Sequence, residues 1–558
     1  MLLGSALYGG SLGHPFVYDD VRTVVDNGTI VTLRDPLAIL QHEWTRPLTN
    51  LSFAVDHAIW GPAPFGFHLT NVVLHVLNTM LVFLIGLRMF RAEQHRATGA
   101  GMTTPTWLAG LAATLFACHP IMSEAVVYVS SRADLLCACF FLLALLAATA
   151  WLERGRRWTQ VAMWTAWVLA LLAKETAVVF PLVLLALTQV YRVRAAGTQT
   201  PVTRTLLSMH ALMLIAAAAR LFVLLRVEGG GASVTASLSS AVATGATALR
   251  LLCVPAGQSI FHAVVPLSSA ADLRLWTFAA VTIVAGALLW RTWNHLGAVG
   301  FGLCLLAATL APALFGSAQG TEAFAEHRLY LPAAGFLLLL ASLVDALMRT
   351  TRPLRSMRLL VPLACVAVVL SLSGRTYIRT LIWADPLNLW QEAVTLTPSH
   401  WLPRAVLGET LHARAMHTEA VDAFKSSLAV RPDNEGTMLN LVVCLSELKR
   451  SDEALAVLSD YEQRVPDAAA VSIGRGAMAM IDGRPRDARG HFQHALDKDP
   501  RSAMARQWLA LVAEQDADTG QLLNQCYELQ RLTPGRAHVD ACIAQMLALQ
   551  SKEREEAR

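Results

Sequence analysis

Residues 132–152 read RADLLCACFFLLALLAATAWL: a cation and a carboxylate, Arg132 and Asp134, followed by eighteen residues without a charge. At 1.5 Å per residue, that uncharged run reaches about 27 Å as a helix, close to the thickness of bilayer hydrocarbon. The run is therefore read as a membrane span whose polar start lies where water begins. Comparable apolar runs cover about 67–88, 106–118, 158–173, 175–191, 205–226, 274–291, 296–315, 328–348 and 357–374. Met1 to Val17 is apolar but short and Gly-rich, without the basic region or cleavage site of a secretory signal. It is expected to be a first span with a clipped start, which brings the total to about eleven. The piece 240–258, with Arg250 and Pro255, reads as an interfacial or re-entrant helix.

Composition agrees. The 558 residues are 54% hydrophobic and 15% charged, far too apolar for a soluble chain of this length, so the lipid bilayer is a partner. The net charge of +4 rests almost wholly on Arg, and no nucleic-acid partner follows from it. Six of the nine cysteines lie in or beside apolar segments, and Cys444, Cys526 and Cys542 are irregularly spaced. Neither a disulfide framework nor a metal site is expected.

Sidedness follows from Arg. One set of alternating loops (88–106, 153–158, 191–204, 291–295, 349–358) holds 14 Arg in 54 residues; the opposite set (18–66, 119–131, 227–273, 316–327) holds 4 in 121. The first set is read as cytoplasmic, which puts the second set and everything after residue 375 outside.

The outer loops carry the chemistry. In Phe16-Val17-Tyr18-Asp19-Asp20, two carboxylates stand where an apolar segment ends, either as a solvated terminus or as a functional pair. Beyond them, 36–40 and 51–60 make short amphipathic helices around Arg46, suited to the headgroup plane. His68, Asn71, His75 and Asn78 then fall within an arc of about 80° at 100° per residue, a polar stripe that faces protein or water rather than lipid. Such a stripe either lines a site or hydrogen-bonds neighbouring helices. His119 and Glu124, then Arg132 and Asp134, Lys174 and Glu175, and Glu322, Glu326, His327 and Arg328 occupy further outer turns. Lys174 is the only lysine before Lys425; its compact ammonium suits a phosphate, or a salt bridge to Glu175 or another carboxylate.

After Trp383 the pattern changes. Pro398, Pro432, Pro466, Pro500 and Pro534 recur every 34 residues, the tetratricopeptide period. Leu407, Gly408, Ala420 and Phe424, and again Gly476, Ala488, Phe492 and Ala495, occupy the small and large positions that let paired helices interlock. A half-repeat at 387–397, repeats at 401–434, 435–468, 469–502 and 503–536, a capping helix at about 537–550 and a charged tail at 551–558 are expected. The chain is thus all-α: a polytopic membrane bundle over 1–382, then an α-solenoid over 383–550 that binds peptides or protein surfaces.

In order and sidedness, Tyr18-Asp19-Asp20, Arg46-Pro47-Leu48, Gly66-Phe67-His68 through His75 and Asn78, His119-Pro120 with Glu124, Arg132-Ala133-Asp134, Ala173-Lys174-Glu175 and Glu326-His327-Arg328-Leu329-Tyr330-Leu331-Pro332 resemble the transmembrane and tetratricopeptide-repeat protein O-mannosyltransferases and their bacterial relatives, within the GT-C membrane glycosyltransferases. The resemblance implies transfer of a sugar, mannose above all, from a polyprenyl-phosphate carrier to an acceptor hydroxyl, with the repeats holding acceptor protein. It implies a multi-pass protein of a bacterial inner membrane with its repeats in the periplasm, and no cofactor beyond the lipid-linked donor, itself a substrate. It makes Asp19 and Asp20 the catalytic pair, although the family's classical members carry Asp-Glu there. Lys174, Arg132 and Arg328 would contact the donor phosphate. Arg46, His68, Asn71, His75, His119, Glu124, Asp134, Glu175, Glu326 and His327 would line the site. The competing readings are a non-catalytic scaffold whose repeats recruit proteins, and a transferase acting on a glycolipid.

Overall fold

A computed structural model describes all residues except Met1, 95–103, 192–198, 227–233, 268, 294–295, 319–322, 351–356, 517 and 557–558, so Glu322 and the last two residues of the expected tail lie outside it. By its internal contacts the chain forms two units: residues 1–17 with 39–384, and residues 18–38 with 385–558.

The first unit is a helical bundle. Its longest helix, Pro64–Gln94, packs against Pro105–Cys118 and Arg132–Arg154, and Tyr330–Thr350 also packs on Pro105–Cys118. Arg132–Arg154 and Arg157–Ala173 form a hairpin; Gly155 at φ 65° ends the first helix and donates its N–H to the Trp151 carbonyl at 2.8 Å. Helices Ala298–Ala318 and Tyr330–Thr350 meet backbone to backbone at Gly302 and Gly335. A Cβ on Gly302 would lie 2.7 Å from the Leu339 nitrogen, and one on Gly335 2.4 Å from the Leu306 nitrogen, so only glycine permits this crossing. Helix Leu273–Thr292 buries nothing in its apolar window and presents Trp276, Ile283, Val284 and Trp290 outward, as a lipid-facing helix does.

Six helices among the described residues are long and apolar enough to cross a membrane: Pro64–Gln94, Val129–Arg154, Leu273–Thr292, Ala298–Phe315, Glu326–Arg349 and Leu359–Trp383. The chain is a multi-pass membrane protein. Of the other expected spans, the amino-terminal one is not a single continuous helix over residues 2–17. Helix Leu2–Tyr8 has 7 residues and passes into a tight turn at Gly9–Gly13. Gly9, Gly10 and Gly13 weaken the helix there. Residues 234–253 form a single helix followed by irregular chain.

The second unit is the repeat solenoid. Helix Pro386–Leu396 precedes four helix pairs, Trp401–His412 with His417–Leu428, Glu435–Glu447 with Ser451–Arg464, Ala469–Ile481 with Pro485–Lys498, and Ala503–Gln515 with Thr519–Leu532. The capping helix Ala537–Glu556 runs on into the expected tail. The Phe424 ring abuts Gly408 and the Phe492 ring abuts Gly476, each so close that a Cβ on the glycine would stand about 2.5 Å away. The turn inside the first three pairs repeats too: Ala415, Lys449 and Gly483, 34 residues apart, all adopt left-handed backbone.

Residues 18–38 pack on this solenoid, which no periodicity predicts. The Tyr18 ring meets Trp390 edge-on at 5.2 Å, against the first helix. At the last helix, the Gly28 N–H donates to the Gly535 carbonyl at 2.7 Å and the Ala537 N–H to the Asp26 carbonyl at 2.8 Å. Arg536 pairs with the Asp26 carboxylate at 3.3 Å. A Cβ on Gly28 would lie 2.6 Å from the Asp540 carboxylate and 3.2 Å from the Ala537 backbone, so a larger residue would push both away. Cys526 and Cys542, for which no pairing is expected from sequence, form a disulfide between the last two helices.

Candidate active site

In the first unit, the ends of several helices bring ionisable side chains into two adjoining groups. The first is a buried knot. Helix Pro47–Trp60 lies against Arg157–Ala173, with the Thr49 hydroxyl donating to the Ala173 carbonyl at 3.1 Å, and this places Asp56 beside Arg132. Arg132 is wholly buried and pairs with Asp56 at 2.6 Å. It also donates to Asn71 at 2.8 Å and to the Phe67 carbonyl at 2.7 Å, and its guanidinium lies 4.6 Å from the Phe53 ring centre. Asp56 accepts a further bond from Thr70 at 2.7 Å. With its directions taken up by protein, Arg132, expected to contact the donor phosphate, joins three chain segments.

The polar stripe continues this knot, and its interhelical reading is the one realised. Asn71 donates to the Val126 carbonyl at 3.2 Å and Asn78 to the Leu135 carbonyl at 3.0 Å. His75 lies 2.8 Å from the Tyr330 hydroxyl and 3.3 Å from the Ala117 carbonyl, and His68 lies 3.1 Å from the His14 carbonyl. His119 accepts from the Ile121 N–H at 3.3 Å, so its other nitrogen, 3.1 Å from the Leu252 carbonyl, is the donor. His68, Asn71, His75 and His119 are all buried and hold helices together rather than line an open site.

The second group is partly accessible. Lys174 Nζ contacts both carboxylate oxygens of Asp134 at 2.7 Å. His327 Nε2 stands 3.9 Å from Asp134, while its Nδ1 lies 2.6 Å from Glu124. Glu124 also accepts the Glu326 N–H at 2.9 Å. Side-chain exposures of 7% for Lys174, 11% for Asp134 and 18% for His327 mark a rim rather than a sealed core. Glu326 is buried and accepts from Gln258 at 2.9 Å and the Ser259 N–H at 2.8 Å, with His262 at 2.7 Å. A short antiparallel pairing of His262–Ala263 with Ala323–Phe324 sets that register. Beyond the rim, Arg46 grips Glu175 in a two-bond fork at 3.0 and 3.2 Å, with 35% and 59% of their side chains exposed. Arg328 is half-buried and makes no side-chain hydrogen bond or ion pair among the described residues. Thus Lys174 takes the salt-bridge option, with Asp134 as partner, while Arg328 has no side-chain partner among the described residues.

Asp19 and Asp20 belong to the second unit. Asp20 is fully buried and Asp19 half-buried, so their environments differ despite adjacency. Tyr18, immediately before them, holds φ 50°, a left-handed conformation costly for an aromatic residue. Thr23 donates to the Asp19 carbonyl at 2.9 Å, which starts the following turn. Burial, followed by the negative charges of Asp19 and Glu409, pushes the Tyr18 phenol up from its ordinary value.

Sequence reasoning missed Asp56, Gln258, Ser259 and His262. His262 sits in an Arg-poor outer loop, but nothing local singles it out.

A membrane bundle with an ionisable rim, joined to a tetratricopeptide solenoid, defines the class: a multi-pass helical membrane protein with an appended protein-binding repeat. The family model described as tetratricopeptide repeat matches residues 411–475. Among known proteins, the chain is similar to several named protein O-mannosyl-transferases. It is 35% identical over 192 residues to "Protein O-mannosyl-transferase Tmtc1" of Drosophila melanogaster, covering 32% of this chain and 20% of that protein. It is 36% identical over 162 residues to TMTC2 of Homo sapiens, covering 26% and 17%. With TMTC3 of Mus musculus, identity is 24% over 518 residues, covering 81% of this chain and 53% of the other. The chain thus spans about half or less of the length of these relatives. A solved structure, the thermophilic tetratricopeptide-repeat protein TTC0263 of Thermus thermophilus, is 22% identical, covers 33% of this chain and 96% of its own, and superposes with a TM-score of 0.26, too low to carry an argument.

Proposed function

We propose that the chain transfers a sugar, mannose, from a polyprenyl-phosphate carrier to a hydroxyl of an acceptor protein at the extracytoplasmic face of the membrane. The observation that carries this is the ionisable rim of Glu124, Asp134, Lys174 and His327, gathered at helix ends of an apolar bundle next to uncommitted Arg328. The names of the relatives supply the reaction class. The Arg asymmetry and the Cys526–Cys542 disulfide, a bond typical of oxidising compartments, support the extracytoplasmic side.

In a single displacement, the acceptor oxygen forms the new bond to the anomeric carbon as the carbon–phosphate-oxygen bond breaks. The acceptor proton passes to a carboxylate, and the departing polyprenyl phosphate takes up negative charge. Asp19 is the base in this scheme. It is the more accessible of the pair, whereas Asp20 is fully buried. Arg328 meets the phosphate, and Lys174 reaches it by exchanging Asp134 for the ligand. The repeats present acceptor protein, and they also hold the segment that carries the acidic pair.

Purified chain in detergent, supplied with polyprenyl-phosphate mannose and an acceptor peptide, should form mannosyl peptide. Asp19→Asn should lower the rate by about two to four orders of magnitude with donor binding retained. Transfer by both Asp19→Asn and Asp20→Asn at the wild-type rate would end the acidic-pair mechanism, and transfer to lipid alone would move the acceptor to a glycolipid.

A further inference from the structure

The repeat unit contains a cluster that the transfer reaction does not use. His412 ends one helix and His417 begins the next, on either side of the tight turn in which Ala415 holds φ 58°. Cys444 and Glu447 stand three residues apart on the last turn of helix Glu435–Glu447, and so on one face. His412 Nε2 is 2.9 Å and His417 Nδ1 3.1 Å from the same Glu447 oxygen. His417 Nδ1 has no well-directed hydrogen-bond partner. Cys444 is buried and free. One ligand atom from each residue lies within 4.8 Å of all the others.

We propose that His412, His417, Cys444 and Glu447 form a structural zinc site that clamps the first full repeat to the second. Two imidazoles, a thiolate and a carboxylate are zinc's preferred donors, and four protein ligands close a tetrahedron with no position left for catalysis. A single oxygen donor suits neither calcium nor magnesium, which take mostly oxygen. Bonds of about 2.0–2.3 Å place tetrahedral ligands roughly 3.3–3.8 Å apart, so the contacts to Glu447 at 2.9 and 3.1 Å would lengthen slightly and the widest, within 4.8 Å, would close. On binding, the Cys444 sulfhydryl proton is released to solvent as the sulfur–zinc bond forms. No Cys-x-x-Cys spacing announces the site; its ligands come from three helices of two successive repeats.

The test uses the full chain, purified in detergent without a polyhistidine tag and stripped by chelator, then titrated with cobalt(II). Expected are saturation at one equivalent, the intense visible bands of tetrahedral cobalt, a thiolate-to-cobalt charge-transfer band, and displacement of all of these by zinc. Cys444→Ser should abolish the charge-transfer band. His417→Ala should weaken binding by more than the roughly 10- to 100-fold caused by loss of an outer-shell partner. Because buried Cys444→Ser risks misfolding, Glu447→Gln and His417→Ala at partly exposed positions serve as controls, with thermal midpoints of the metal-free forms measured alongside. Absence of a charge-transfer band in the wild type, or its survival in Cys444→Ser or in a folded His417→Ala variant at wild-type affinity, overturns the site.

Discussion

Replacing Arg132 with Met tests whether this residue holds the bundle or the donor. Met keeps part of the stem and removes the charge, leaving Asp56, whose side chain is 6% exposed, with the Thr70 hydroxyl as its hydrogen-bond donor at 2.7 Å. Breaking a buried ion pair by removing one member costs about 3–5 kcal/mol. The orphaned Asn71 and Phe67 oxygens are part of that figure rather than additions to it. At about 2 °C per kcal/mol for a large domain, the thermal midpoint in detergent should fall by roughly 6–10 °C. Adding Asp56→Leu removes the stranded carboxylate and should recover most of the loss, since apolar replacements of buried pairs are often neutral. The assay is unfolding of purified protein followed by tryptophan fluorescence, with donor-lipid binding measured on the folded fraction. A variant with wild-type midpoint and lost donor binding would refute the structural assignment and return the guanidinium to the phosphate.

Four further outcomes are expected. Gly476→Ala puts a methyl about 2.4 Å from the Phe492 ring, so despite better helix propensity it should destabilise the solenoid by about 1–3 kcal/mol, read by denaturant unfolding. Cys526→Ser opens a disulfide that closes 16 residues and should cost the capping helices about 2–4 kcal/mol, read as protease sensitivity near the carboxyl end. Lys174→Met should weaken donor binding less than Arg328→Met does, because Lys174 is already engaged by Asp134; equal losses in a lipid-binding titration would contradict that ordering. A reporter active only in the cytoplasm, fused after Arg558, should be silent, and strong signal from it would reverse the sidedness.

What was legible in the sequence was what repeats or what costs energy in lipid. A 34-residue spacing carries its own register, so Gly408 could be matched to Phe424 without seeing either. The stripe from His68 to Asn78 was legible because helical geometry alone puts those residues on one face. Its purpose was not: hydrogen bonds to Val126, Leu135 and Tyr330 depend on which helices become neighbours. The same gap left the partners of the cations unread. Arg132 and Lys174 look equally suited to a phosphate until Asp56 and Asp134, 76 and 40 positions away, are seen against them. Segment 18–38 was the least legible, being held by backbone bonds and a glycine contact that leave no pattern in composition.

The bond between Asp26 and Arg536 joins positions 510 residues apart. At ordinary rates of about 5–20 residues per second, half a minute to two minutes of synthesis separate the two partners. The loop with Asp19 and Asp20 therefore leaves the ribosome long before the helix that anchors it exists, and its final seat is available only once the last repeat has been made and delivered to the same side of the membrane. Biogenesis thereby acquires an order in which a late repeat seats an early loop. A nascent or shortened polypeptide lacking that helix would carry the acidic pair without the backbone bonds from Gly28 and Ala537 that seat its segment.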